Sequence, residues 1–267
     1  MKKRSFTIQK ENGEKIPCIE CIPEDCRTIV IVVHGFCSSK ESSNAACQFR
    51  ELVPRGIGVI AYDQPGHGSA EASKETLRID ACLDSLACVE HYLQEAYPSA
   101  EICYFGSSFG AYVTGLYLTH REHAGNKAFF RCPAVNFPDL ILEAPAMKPG
   151  SPELAELAEK GYCDLVLGGD DCIRIVPAFL EDLKRYDLFA AFDANASGAD
   201  HTEGFRIRMA HGEADPVVPV AQARRFAERF QIPLTTFPGE GHTISDDPAS
   251  PPAVSALAAE LFLEARF

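Results

Sequence analysis

Thr28-Ile-Val-Ile-Val-Val33 is a run of six β-branched residues with no alternating polar position. A half-exposed strand alternates; an unbroken apolar run predicts a parallel strand covered by helices on both faces. Before it, Phe6–Gln9 and Glu14–Ile22 flank Glu11-Asn12-Gly13. The Asn-Gly pair takes the positive φ angles of a tight turn, which predicts an N-terminal antiparallel hairpin. After it the pattern predicts a helix over Ser42–Val53, a strand over Gly56–Tyr62, a helix over Glu75–Ala96, a strand over Glu101–Phe105, a helix over Phe109–His120 and a strand over Lys127–Cys132. In the longest helix Ile79, Cys82, Leu86, Val89 and Leu93 recur at spacings of three and four, one apolar stripe to lay on a sheet. Alternating strand and helix predicts the α/β class, with a mostly parallel central sheet and helices on both faces.

After that sixth strand the alternation lapses for about seventy residues, too many for an ordinary loop, and resumes at Phe205–His211. Within the gap a helix (Pro152–Lys160), two short extended pieces (Asp164–Leu167 and Cys172–Val176) around a Gly168-Gly169-Asp170-Asp171 turn, and a helix (Pro177–Tyr186) predict a small lid built on a hairpin. The expected organisation is one core from residues 1–136 and 201–267, interrupted by a lid insertion, residues 137–200. A helix over Val220–Phe230, a strand over Pro233–Phe237 and a helix over Ala253–Arg266 complete the core.

Composition narrows the function classes. The 267 residues are 46% hydrophobic, enough for one large core, and 25 Lys+Arg against 38 Asp+Glu give a net charge of −13. An acidic chain lacks the basic footprint that nucleic acid demands and is a poor match for an anionic membrane surface. Lys2-Lys3-Arg4 is followed by a polar stretch rather than an apolar one, and no apolar run is long enough to span a bilayer. The expected location is therefore cytoplasmic. Eleven cysteines, an odd number, then read as reduced thiols rather than a disulfide framework. Cys18 and Cys21 have a metal-like spacing, but in an extended segment they point to opposite faces, so no metal site is expected there.

The chemistry concentrates in Phe105-Gly106-Ser107-Ser108-Phe109-Gly110, where a strand runs into a helix. A turn that sharp tolerates no side chain two residues before or after its apex, and Gly106 and Gly110 meet that condition for Ser108. For Ser107 the same positions hold Phe105 and Phe109, which rules it out as the apex. The pentad resembles the nucleophile elbow of α/β-hydrolases. His34-Gly35-Phe36 follows the central strand; the Phe36 N–H and the Phe109 N–H, at the start of a helix, are the expected oxyanion-hole donors, with His34 holding the loop. A nucleophilic serine needs a base and a carboxylate that orients it, in the order Ser, acid, His in this fold. Of His201, His211 and His242 downstream, His242 sits in the loop Gly239-Glu240-Gly241-His242 and is the expected base. His211 closes a strand. Asp215, just past the penultimate strand, is the expected acid, with Glu213 its nearest rival and a helix-capping role its alternative.

The whole chain is similar to the α/β-hydrolase superfamily, with the His-Gly loop, Asp63-Gln64-Pro65-Gly66-His67-Gly68-Ser69, the elbow, and the Asp215 and His242 loops in family order. The Asp63–Ser69 stretch resembles the Asp-x-Pro-Gly-x-Gly turn of lid-bearing members, in which His67 reads as structural. The short insert is similar to the lids of bacterial cinnamoyl and feruloyl esterases. This resemblance implies a serine hydrolase of small-molecule carboxylic esters with no cofactor and no metal, acting through Ser108, His242 and Asp215. Thioester hydrolysis, aminopeptidase action (with Glu153, Glu156, Asp170 or Asp171 as an amine anchor) and non-catalytic ligand binding are the alternatives. A homodimer is left open. Phe179, Leu180, Leu183, Tyr186 and Phe189 line an acyl pocket or pack the lid on the body.

Overall fold

The computed structural model describes residues 2–68, 77–166, 172–196 and 206–265. The apolar run becomes β3 (Thr28–Val33), and all six of its residues are buried. Ile29, Ile31 and Val33 enter one core while Val30 and Val32 enter the other, so the strand is hydrophobic throughout because both of its faces are covered. Before it β1 (Arg4–Gln9) and β2 (Lys15–Cys21) form the expected antiparallel hairpin, with Gly13 at φ +86° in its turn. Cys18 and Cys21 of β2 lie in the two different cores, on opposite faces. All eleven cysteines are free thiols.

The chain continues through α1 (Ser43–Leu52), β4 (Gly58–Tyr62), α2 (Ile79–Ala96), β5 (Glu101–Ser107), α3 (Phe109–His120) and β6 (Lys127–Arg131). Between β6 and the next strand of the main sheet come α4 (Phe137–Leu142), α5 (Pro152–Lys160), a small antiparallel pair β7 (Cys163–Val166) and β8 (Cys172–Ile175), α6 (Pro177–Arg185) and α7 (Leu188–Ala196). The chain closes with β9 (Arg206–Gly212), α8 (Val220–Phe230), β10 (Leu234–Phe237) and α9 (Ser250–Leu263). The eight-stranded sheet runs β1-β2-β4-β3-β5-β6-β9-β10, antiparallel at β1-β2-β4 and parallel from β4 onward. Helices α1 and α9 cover one face; α2, α3 and α8 cover the other, together with buried residues of α5, β7, β8, α6 and α7. No described helix is long and apolar enough to cross a membrane.

Element boundaries move where tertiary partners decide them. Strand β5 runs two residues further than predicted, to Ser107, because Gly106 and Ser107 pair with Phe130 and Arg131 of β6. Helix α9 starts at Ser250 because Pro251 and Pro252 fit a first turn, where no amide hydrogen is required. Helices α4 and α7 are additions to the predicted set. The predicted Gly168–Asp171 turn, His201 and Ser69 lie outside the described residues.

Asp182 of α6, 3% exposed, accepts from the Ile79 N–H at 3.0 Å and from Arg78 Nε and Nη2 at 2.7 and 2.8 Å. A carboxylate from the insert thus caps α2, so the insert is fastened to the body at this point. Asp182→Ala is expected to lower unfolding free energy by about 2 kcal/mol, since it leaves the Ile79 amide uncapped and removes the ion pair with Arg78. A urea titration that shows an unchanged midpoint would contradict that role.

Candidate active site

Ser108 sits at the apex between β5 and α3 at φ 53°, ψ −117°, a region a non-glycine residue occupies only when its surroundings hold it there. The glycines explain how the turn fits. A Cβ on Gly106 would lie 2.6 Å from the Ala111 Cα, and one on Gly110 would run into the carbonyl oxygens of Val33 and His34, the latter at 2.6 Å. Ser108 is half-buried and Phe109 fully buried; among the described residues the Phe109 N–H, in the first turn of α3, makes no hydrogen bond within the chain.

The loop after β3 passes directly over this apex. A Cβ on Gly35 would lie 3.4 Å from the Ser108 Cβ, and the amide of Phe36 follows; it too makes no hydrogen bond within the chain among the described residues. His34 Nδ1–H donates to the Gly35 carbonyl at 2.7 Å, so its Nε2 is the acceptor for the Gln64 N–H at 3.1 Å. Gln64 Nε2 returns a bond to the His34 carbonyl at 2.7 Å. His34 is therefore a neutral brace, and burial lowers its pKa accordingly. His67 donates from Nδ1 to the Pro65 carbonyl at 2.9 Å, and burial, then His34, push it down to about 3. Its ring packs 5.4 Å from Phe36 and 5.9 Å from Phe109, so it supports both loops as an uncharged aromatic.

A contact absent from the sequence-based expectations holds the far end of this loop. Asp63 accepts from Lys40 Nζ at 2.7 Å and from the Lys40 N–H at 2.8 Å, with both side chains buried. The positive φ of Gly68, 73°, lets the Asp63–Gly68 turn fold back on that carboxylate, where a Cβ would collide with it. Breaking a buried pair by removing one partner strands the other charge. Lys40→Ala is expected to destabilise the fold by about 3–5 kcal/mol, read by denaturant unfolding, and a loss below about 1 kcal/mol would contradict this reading.

On the other side, the loops after β9 and β10 meet. Gly212 leaves room for the Glu240 and Gly241 carbonyls, which a Cβ would strike, and the Ala214 N–H donates to the Glu240 carbonyl at 2.9 Å. Asp215 Oδ2 accepts from His242 Nδ1 at 2.7 Å, which leaves His242 Nε2 with its lone pair free to take a proton. Asp215 Oδ1 accepts from the Val217 and Val218 amides at 2.8 and 2.9 Å, so it both turns the chain toward α8 and holds the histidine. His211 Nε2–H, shared between the Val218 carbonyl at 2.9 Å and Asp215 Oδ2 at 3.1 Å, serves the carboxylate from below. The side chain of His211 is wholly buried and that of His242 is 19% exposed, so only the latter is open to a ligand. Glu213 is turned away, accepting from Arg224 and Thr236.

Burial alone would raise the Asp215 carboxyl; hydrogen bonds from His211, His242 and the Val218 N–H outweigh it and hold the carboxyl well below its ordinary range. Cys132, His211 and Asp215 bring one potential metal-ligand atom each within 4.8 Å of one another. Burial pushes the Cys132 thiol up to about 11, which keeps it protonated, and both Asp215 oxygens already accept from N–H donors. The residues of α6 fall mainly to packing. Phe179 and Leu183 are buried, Leu180 is half-buried, and the Phe179 ring stacks 6.3 Å from Phe36.

Comparisons with known proteins agree with this architecture. Residues 24–169 match the family model described as serine aminopeptidase, S33. No curated protein is similar enough in sequence to match. Among solved structures, a protein of Agrobacterium vitis S4 assigned as a hydrolase shares 24% identity over 96% of this chain and 98% of its own, with TM-score 0.73. Est1E from Butyrivibrio proteoclasticus, with ferulic acid bound, shares 17% identity over 97% and 100% of the two chains, TM-score 0.76. An esterase domain from Rhodothermus marinus shares 18% over 97% and 98%, TM-score 0.70. The family match spans more than half of the sequence, and the chain is a member of the S33 family of α/β-hydrolases.

Proposed function

We propose that this hydrolase is a serine esterase in which Ser108 is the nucleophile, His242 the base and Asp215 its orienting carboxylate. The 2.7 Å bond from His242 Nδ1 to Asp215, together with a serine held at the strained apex between β5 and α3, carries this reading. Ser108 Oγ gives its proton to His242 Nε2 and attacks the ester carbonyl carbon. The Phe36 and Phe109 amides receive the oxyanion, and His242 returns the proton to the departing alcohol. Water, deprotonated by the same histidine, then cleaves the acyl-enzyme. The segment between β6 and β9, residues 137–200, acts as a lid, and the half-buried ring of Phe36, backed by the buried ring of Phe179, lies on the acyl side of the site. Est1E holds ferulic acid on the same fold, which favours an aromatic acyl group of the cinnamoyl type.

The S33 family description favours a second reading, cleavage of an N-terminal residue by the same three side chains. An aminopeptidase needs a carboxylate for the substrate amine. Of the candidates, Glu156 pairs with Lys160 at 2.9 Å, Glu153 lies in the first turn of α5, and Asp170 and Asp171 lie outside the described residues. Parallel assays on aryl esters of cinnamic acids and on aminoacyl arylamides separate the two. Ester turnover that vanishes in Ser108→Ala supports the esterase; arylamide turnover with no ester turnover overturns it.

A further inference from the structure

We propose that Arg131, the last residue of β6, is the positioning residue that fixes the nucleophile and the base relative to one another. The proposal rests on the serine-hydrolase reading above. Four contacts carry it. The Arg131 carbonyl accepts the N–H of Ser108 at 2.9 Å. Its Nη1 donates to the carbonyl of His242, also at 2.9 Å, and its Nε and Nη2 donate to Ser107 Oγ, the former at 3.0 Å. One residue thereby grips the main chain of both the nucleophile and the base, which come from distant parts of the sequence. The strand register sets this up, with Arg131 paired to Ser107 of β5 on one side and to Ala210 of β9 on the other.

The placement is costly, which argues for a task. Arg131 is 7% exposed, and among the described residues no ion pair joins its guanidinium to a carboxylate. Arginine is seldom buried without such a partner. Here the donors are spent on a neutral hydroxyl and a main-chain carbonyl, both beside the site. The guanidinium plane offers several donors in fixed directions, which a lysine cannot copy. The charged and titratable groups facing this region are Asp215, whose negative charge attracts Arg131, with His211, His242 and the Cys132 and Cys47 thiols.

The test compares wild type with Arg131→Met, Arg131→Lys and Ser107→Ala, the last two being the milder changes should the first fold poorly. Three readouts are taken: kcat and KM on an activated ester, the pH profile of kcat, and hydrogen exchange across the chain. In Arg131→Met, kcat is expected to fall by about 10–100-fold with KM within about two-fold, because a misplaced base costs the chemical step rather than binding. The acid limb of the profile moves to higher pH, since a nearby cation that opposes protonation of the base is gone, and Arg131→Lys restores the limb without restoring kcat. Ser107→Ala shows a smaller fall in kcat. Residues 241–246 lose exchange protection while β5, β6 and β9 keep theirs. Wild-type kcat with an unmoved profile and a protected loop in Arg131→Met would overturn the proposal, as would protection lost evenly over the sheet. If the wild type itself turns over no substrate, the hydrolase reading fails, and the exchange at 241–246 still decides whether Arg131 holds the histidine loop.

Discussion

Replacing Ser108 by alanine is expected to lower turnover of an activated ester by about 10⁴–10⁶-fold without unfolding the protein. The reason is local. Alanine has the same Cβ as serine, so the strained backbone at φ 53° is stressed no further, and the glycines that clear the turn are unchanged. The variant loses only the oxygen that attacks in the proposed mechanism. Some rate above the uncatalysed reaction should remain if, as proposed, the Phe36 and Phe109 amides still polarise the carbonyl for water. Gly110→Ala makes the instructive contrast. Its Cβ would meet the Val33 and His34 carbonyls, so it should destroy activity and stability together. Steady-state rates measured beside thermal unfolding separate these outcomes, and a Ser108→Ala enzyme with near-native turnover would contradict the mechanism.

Asp215→Asn is the second large effect, a fall of about 10⁴-fold in kcat with the fold retained. Asp215 Oδ2 accepts the Nδ1 proton of His242 at 2.7 Å. An asparagine amide that presents its NH₂ there turns the histidine to the other tautomer, whose Nε2 already carries a proton and can take none from Ser108. The same carboxylate contributes to stability with a definite sign. Its pKa is lowered in the folded chain, so its contribution is complete above the ordinary carboxylate range and is lost as pH falls through the lowered value. The stability gap between wild type and Asp215→Asn should therefore narrow in acid. Denaturant titrations at neutral and strongly acidic pH check this, and a gap that widens on acidification would contradict it.

How much of this was legible in the sequence follows from the range of the forces involved. Local geometry was readable: an Asn-Gly turn, an unbroken β-branched strand, and glycines two residues either side of Ser108 announce their structures within a few positions. The pairing of His242 with Asp215 was readable as well, because the fold orders its loops along one sheet edge and both residues lie just past strand ends. What stayed hidden depends on partners far along the chain. Helix α2 begins at Ile79 because Asp182 caps it from α6, so no nearby residue marks its start. Asp63 looked like part of a glycine turn, and its grip on Lys40 appears only when β3 and β4 lie side by side. Arg131 carried no sequence signal at all; it reads as one more charge at a strand end until the register sets it against Ser107 and the His242 loop.

The most direct test of the proposed triad is covalent labelling with a fluorophosphonate, the adduct mapped by peptide mass spectrometry in wild type and in the Ser108→Ala, His242→Ala and Asp215→Asn variants. An adduct on Ser108 in the wild type, absent in Ser108→Ala and formed far more slowly in the other two, is the predicted result. An adduct on another residue, or labelling of Ser108 at full rate without His242, would contradict the assignment of nucleophile and base.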